Sequence, residues 1–163
     1  MSDRPTRPER SAFRLFRPIA TRWMDNDAYG HVNNVHYYSY FDSAVNGWLV
    51  EKGLLAIADS PVIGLVVESG CSYFESVAFP DALEAGIVVA HLGRSSVHYR
   101  IGIFKEGAAH AAAQGHFVHV YVDRITQRPA EIPSETRKAL SALTRAGRST
   151  RRARRPPSPR HRR

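Results

Sequence analysis

The sequence contains one cysteine, Cys71, so no disulfide can close within the chain, which fits a reducing compartment. No apolar run approaches the ~20 residues that a membrane-spanning helix requires. The opening residues, MSDRPTRPERSAF, lack the apolar centre of a secretory signal. These absences argue against a disulfide scaffold and a helical membrane protein; a cytoplasmic chain is the expectation. The 8 histidines are scattered, without the close pairing of a helical zinc motif. Acid is missing from one segment. Residues 145–163, RAGRSTRRARRPPSPRHRR, hold 9 of the 23 basic residues and no Asp or Glu. The remaining residues hold 14 basic and 15 acidic side chains, so the formal net charge of +8 belongs to the tail. The body gives no electrostatic reason to bind nucleic acid, and no specific nucleic-acid partner is expected.

With 163 residues, one domain with a substantial core is expected. Residues 1–11 are polar and contain Pro5 and Pro8, and read as a flexible N-terminal arm. Residues 12–144 read as the domain, and residues 145–163 as a disordered basic tail. Within the domain, Phe13 to Thr21 reads as an opening strand, with Pro18 marking an edge or a bulge. Tyr37, Phe41, Ala44, Val45, Trp48 and Leu49 recur at intervals of three and four. That spacing predicts an amphipathic helix from about Asn34 to Lys52, with Asn33 or Asn34 as N-cap and Gly53 at the left-handed stop. Strands are predicted over Val62–Phe79, Leu83–Leu92, Ser96–Phe104 and Ala109–Val122, as a meandering antiparallel sheet. Ser134 is expected to cap a short helix from Glu135 to Thr144. The fold class is α+β: an antiparallel sheet wrapped around one long central helix.

Just ahead of that helix lies a polar turn with two acids, Asp25 and Asp27, and the pair Gly30–His31. A carboxylate before a helix N-terminus can act on a reacting centre while free helix N–H groups receive developing negative charge. The run Asp25-Asn26-Asp27-Ala28-Tyr29-Gly30-His31-Val32-Asn33-Asn34, followed by Tyr37-Tyr38-Ser39-Tyr40-Phe41-Asp42, resembles the signature of hotdog-fold acyl-CoA thioesterases, the 4-hydroxybenzoyl-CoA thioesterase-like family. Weaker likeness continues through Phe79-Pro80-Asp81, Gly93-Arg94-Ser95-Ser96 and Val122-Asp123-Arg124.

The resemblance implies a hotdog fold that hydrolyses an acyl-CoA thioester, without a metal or redox cofactor. It implies a homodimer or homotetramer whose sheets join edge to edge, with active sites between protomers. It places the general base or nucleophile at Asp27 and the oxyanion donor at the main-chain N–H of Asn34. As further site candidates, Gly30 lets the backbone turn tightly into the site, and His31 either orients water or substrate or bonds within the turn. Asp25 reads as a structural acid of the turn. Asp42 and Glu68 stand as alternative carboxylates, and Cys71 has the periodicity of a core residue rather than a nucleophile. Arg94, with Ser95 and Ser96, is a candidate for a CoA phosphate. Tyr29 stands where plant-type acyl-carrier-protein thioesterases carry an asparagine, which favours chemistry at Asp27. Two other readings stay open: an acyl-carrier-protein thioesterase with a basic rim of Arg94, Arg100 and Lys105, and a non-catalytic acyl-CoA-binding protein.

Overall fold

The computed structural model describes residues 5–145; the basic tail beyond Arg145 lies outside them. Five strands form one antiparallel sheet: β1 (Leu15–Ala20), β2 (Val62–Tyr73), β3 (Ala82–Leu92), β4 (Ser96–Lys105) and β5 (Ala113–Asp123). A long helix, α1 (Asn34–Glu51), follows β1, and a short one, α2 (Ser134–Ala142), closes the chain.

The spatial order is β1-β3-β4-β5-β2. Only β3, β4 and β5 form the expected meander. β2 crosses to the far edge and pairs with β5, from Val62 opposite Asp123 to Tyr73 opposite Ala113. It also ends at Tyr73 rather than Phe79, because the backbone of Phe74 and Glu75 turns to bond the carbonyl of Ala112. A register shift between Val66 and Glu68 breaks the ladder, and Leu65, Val66 and Val67 are all exposed on this outer strand. Ser134 opens α2 rather than capping it; Pro133 holds the cap position without a side-chain bond.

α1 forms where its periodicity predicts. The Asn33 side chain accepts from the Val35 N–H, and Gly53 follows the helix at φ 69°, a left-handed stop. The face of α1 built from Tyr37, Tyr40, Phe41, Ala44, Val45, Trp48 and Leu49 is buried. It packs against Ile19, Leu83, Ala85, Ile87, Tyr99, Ile101 and Phe117 of the sheet. Each large side chain so buried contributes roughly 1.5–3 kcal/mol. Gly115 lets the helix approach closely, since a Cβ there would run into the Phe41 ring.

The opposite face of the sheet is partly covered by the chain start. Phe13 sits over Gly86 and Gly102, where a Cβ would come within 2.9 and 2.6 Å of its ring. Within the stretch expected to be a flexible arm, residues from Arg7 onward contact the rest of the chain. The Arg7 guanidinium donates to the Ala111 carbonyl at 2.7 Å, and Glu9 forms a bridge with His110. Among the described residues, no helix is long and apolar enough to cross a membrane.

Candidate active site

The acidic turn between β1 and α1 is fixed by the first of its two acids. Asp25 is fully buried. Its carboxylate accepts from the Tyr40 hydroxyl at 2.7 Å, and from the Arg22 backbone and guanidinium at 2.9 Å each. Burial alone would push its pKa up, but the hydrogen bonds from Tyr40 and Arg22 outweigh it and hold the carboxyl below its usual range. The Asp25 carbonyl accepts from the Asn33 N–H at 2.8 Å. Asp25 thus ties the turn to the start of α1, as its structural reading requires.

Asp27 has a different environment. Its Oδ1 accepts from the Tyr29 N–H at 2.9 Å, while its backbone exchanges bonds with His31 and Gly30. Oδ2 has no partner and Asp27 makes no ion pair among the described residues. Gly30 closes this turn at φ 77°, with nothing within 4 Å of where a Cβ would stand. Its need for glycine is conformational; no neighbour in the chain would be obstructed.

The helix start leaves one donor free. Asn33 Oδ1 takes the Val35 N–H at 3.1 Å, and the Asn33 carbonyl takes the His36 N–H at 3.0 Å. Among the described residues the Asn34 N–H has no acceptor. Asp27, His31 and Asn34 line one open cleft of about 360 Å³, together with Tyr37, Tyr73, Glu75 and Ser76. Tyr73, Glu75 and Ser76 carry no signal in the sequence. They enter because β2 ends beside the helix start, and only strand order reveals that. Glu75 accepts from Lys105 and Arg7, which hold its carboxyl below the usual range. It is therefore a committed anion, and Asp27 is the unpaired carboxylate of the cleft.

The other sequence candidates lie elsewhere in the chain. Asp42 and Glu68 do not line the cleft; Glu68 is exposed on β2, 3.2 Å from His116. Cys71 is half-buried on β2, and burial pushes its thiol up to about 11, which disfavours the nucleophilic thiolate. Arg94 is 83% exposed in the β3–β4 turn and donates to Glu131 at 2.7 Å. With Ser95 and Ser96 it lies at the start of β4, whereas Lys105 at the other end of β4 touches the Glu75 of the cleft. Within one chain, Arg94–Ser96 and the Asp27 cleft are not brought together.

Residues 21–140 match the thioesterase-like superfamily. The chain belongs to that superfamily. The PA5185 protein of Pseudomonas aeruginosa strain PAO1 is 55% identical, with a TM-score of 0.84 over 86% of this chain and 99% of that one. Two more distant structures share the fold. Slr0204, a 1,4-dihydroxy-2-naphthoyl-CoA thioesterase from Synechocystis, is 17% identical with a TM-score of 0.71, over 78% of this chain and 96% of its own. The gentisyl-coenzyme A thioesterase BH1999 is 24% identical with a TM-score of 0.68, over 77% of this chain and 99% of its own. The sheet wrapped around α1 is thus the hotdog fold of this thioesterase-like superfamily member.

Proposed function

We propose that the protein hydrolyses acyl-CoA thioesters with Asp27 as general base and the Asn34 N–H as oxyanion donor. The observation that carries this reading is the meeting, in one cleft, of an unpaired carboxylate oxygen and an unclaimed helix N-terminal amide. Asp27 Oδ2 takes a proton from water, whose oxygen attacks the thioester carbon. The carbonyl oxygen becomes an oxyanion against the Asn34 N–H, a contribution of about 3 kcal/mol at the transition state. Collapse of the tetrahedral intermediate breaks the C–S bond, leaving the free acid and CoA thiolate. His31, exposed at the cleft, orients the water or the thioester, and Gly30 keeps the turn that presents Asp27.

The working unit in this reading is a homo-oligomer paired through the free edge of β2, whose Leu65, Val66 and Val67 are otherwise exposed. Arg94, with Ser95 and Ser96, reaches the CoA phosphates from another protomer, and the Arg94–Glu131 pair opens to release the guanidinium. A reducing cytoplasm suits a chain whose single cysteine is a half-buried thiol.

The test is release of free thiol from short, medium, long and aromatic acyl-CoAs, with matching acyl-carrier-protein substrates alongside. Wild type should turn over at least one acyl-CoA, and Asp27→Asn should lower kcat by about 10²–10⁴-fold without changing the melting temperature. Full activity in Asp27→Asn would remove Asp27 from the chemistry. A single turnover in ¹⁸O-water labels only the product acid if Asp27 is a base. Label in Asp27 itself would make it the nucleophile.

A further inference from the structure

Two histidines meet on the outer face of the sheet, away from α1. On β4, Val97 and Tyr99 are buried in the core that α1 covers. His98 lies between them in sequence, so it points to the opposite face, where it is exposed. The pairing of Ile87 with Ile101 and of Val89 with Tyr99, continued without a break, would set Ala90 opposite His98. A register shift between Val89 and His91 sets His91 there instead. Bulges re-aim side chains in this way. Here the result is two exposed imidazoles side by side, with ring centres 5.3 Å apart and planes at 88°.

Neither ring is otherwise engaged. His36, His110 and His116 each stand beside a carboxylate, whereas His91 and His98 have no ion pair or side-chain hydrogen bond among the described residues. His119 also has an unpaired nitrogen, Nδ1, but it is 1% exposed and packs against Gly64, so no ligand reaches it. The charged groups around the pair are basic. Arg100 follows His98 by two residues on the same strand. Arg137 donates to the Gly93 and Arg94 carbonyls, and Arg94 is paired with Glu131. No carboxylate touches either imidazole, so oxygen-seeking Mg²⁺ and Ca²⁺ find no ligand set here.

The spacing fits a different class of ion. At a metal–nitrogen distance of ~2.0–2.1 Å the centre of an imidazole stands about 3.2 Å from the metal, and a tetrahedral angle then separates two ring centres by about 5.2 Å. His91 and His98 already have that separation. The angle between the planes is free in such a chelate, because each ring can rotate about its metal–nitrogen bond. Turning a ring nitrogen toward the ion costs little at an exposed, broad terminal torsion. On the turn side, a Cβ on Gly93 would stand 3.7 Å from His91 Nε2 and 2.7 Å from Ser96 Oγ. Glycine keeps that space open, and the serine hydroxyl can hold a metal-bound water.

We propose that His91 and His98 form a two-imidazole site for a late first-row transition-metal ion, with water filling its remaining positions. The site lies at the β3–β4 turn, outside the Asp27 cleft, and stands independently of the hydrolytic reading. The test is calorimetric titration of the full-length protein near neutral pH with Cu²⁺, Ni²⁺ and Zn²⁺, with Mg²⁺ and Ca²⁺ as comparisons. Cu²⁺ should bind most tightly, ahead of Ni²⁺ and Zn²⁺, and Mg²⁺ and Ca²⁺ should not bind. His91→Gln and His98→Gln should each lower the Zn²⁺ affinity by at least the roughly 10–100-fold that loss of an outer-shell partner costs. Both positions are exposed, so the melting temperature without metal should match wild type, and only wild type should gain stability from added Zn²⁺. In NMR spectra, substoichiometric Cu²⁺ should broaden the His91 and His98 imidazole signals before those of any other histidine.

Wild-type affinity retained in either variant overturns the proposal, because a two-ligand site fails when either ligand is lost. So does broadening that begins at His116, at His161 or at the N-terminal amine, which would place the ion elsewhere. Mg²⁺ binding as tight as Zn²⁺ binding would assign the ion to carboxylates and overturn it as well.

Discussion

Acid should weaken this fold through His119 in a way that one substitution removes. In the folded protein the ring titrates near 4, pushed down from 6.5 by burial, whereas in the unfolded chain it returns to the ordinary value. Between these two pH values the unfolded chain binds the extra proton, so stability rises with pH across that window. Above about 6.5 the imidazole imposes no penalty, and below about 4 the penalty is complete. Over the full window it amounts to about 3 kcal/mol, at ~1.36 kcal/mol for each pH unit that separates the folded and unfolded titrations. His119→Phe removes the titrating group and retains a ring between Tyr99 and Phe117.

The assay is urea unfolding of both proteins at pH 7.5, 6.0, 5.0 and 4.5, followed by a far-UV and a near-UV signal to establish a two-state transition. Other carboxylates and histidines titrate in both proteins and cancel in the difference. Relative to the variant, wild type should lose about 2–3 kcal/mol between pH 7.5 and 4.5, and NMR titration of the folded protein should find His119 neutral at pH 5. Parallel stability curves for the two proteins would refute the reasoning. They would mean that Nδ1 has a partner that stabilises the charged ring and cancels the effect of burial.

Three other substitutions test the parts that position the site. Tyr40→Phe takes one hydrogen bond from the buried Asp25 carboxylate and should cost about 1–3 kcal/mol in urea unfolding. Because that bond helps to depress the Asp25 pKa, stability held above the ordinary carboxylate range should be lost at a higher pH in the variant than in wild type. Asn33→Ala removes the acceptor of the Val35 N–H and should cost ~1 kcal/mol; kcat should fall as well, since the freed Val35 amide loosens the turn that presents the Asn34 donor. Gly115→Ala places a methyl group against the Phe41 ring and should destabilise by about 1–3 kcal/mol through overpacking, read as a lower melting temperature.

The parts legible in the sequence are those set by local chemistry. The 3.6-residue spacing from Tyr37 to Leu49, the Asn33 cap and the Gly53 stop all concern neighbours along the chain, and α1 follows them. The separation of Asp25 from Asp27 is also legible, once the signature gives the two positions different roles. Strand order is not legible from alternation. Nothing in Val62–Tyr73 states that its partner is β5, and the exposed run Leu65–Val67 looks from the sequence like any other apolar strand. The same blindness hides Tyr73, Glu75 and Ser76, which reach the cleft through that long-range crossing. The arm reads as mobile from its polar composition and its prolines, and the contact of Arg7 with the distant Ala111 carbonyl is a long-range one that composition does not announce. His119 carries no signal at all, since an unpaired ring nitrogen is a property of the packed core.

The anchoring of the acidic turn separates two demands on one loop. Asp25 fixes it to Arg22, Tyr40 and Asn33, while Asn26 accepts from the Phe79 N–H and Val32 donates to the Val77 carbonyl. Between these fixed points Trp23, Met24 and Tyr29 are exposed, at 83%, 67% and 87%. Their side chains can change in size and polarity with little effect on where Asp27 sits. Substitutions can therefore accumulate on the exposed surface of this turn, one residue at a time, while the Asp27 carboxylate keeps its place ahead of the helix.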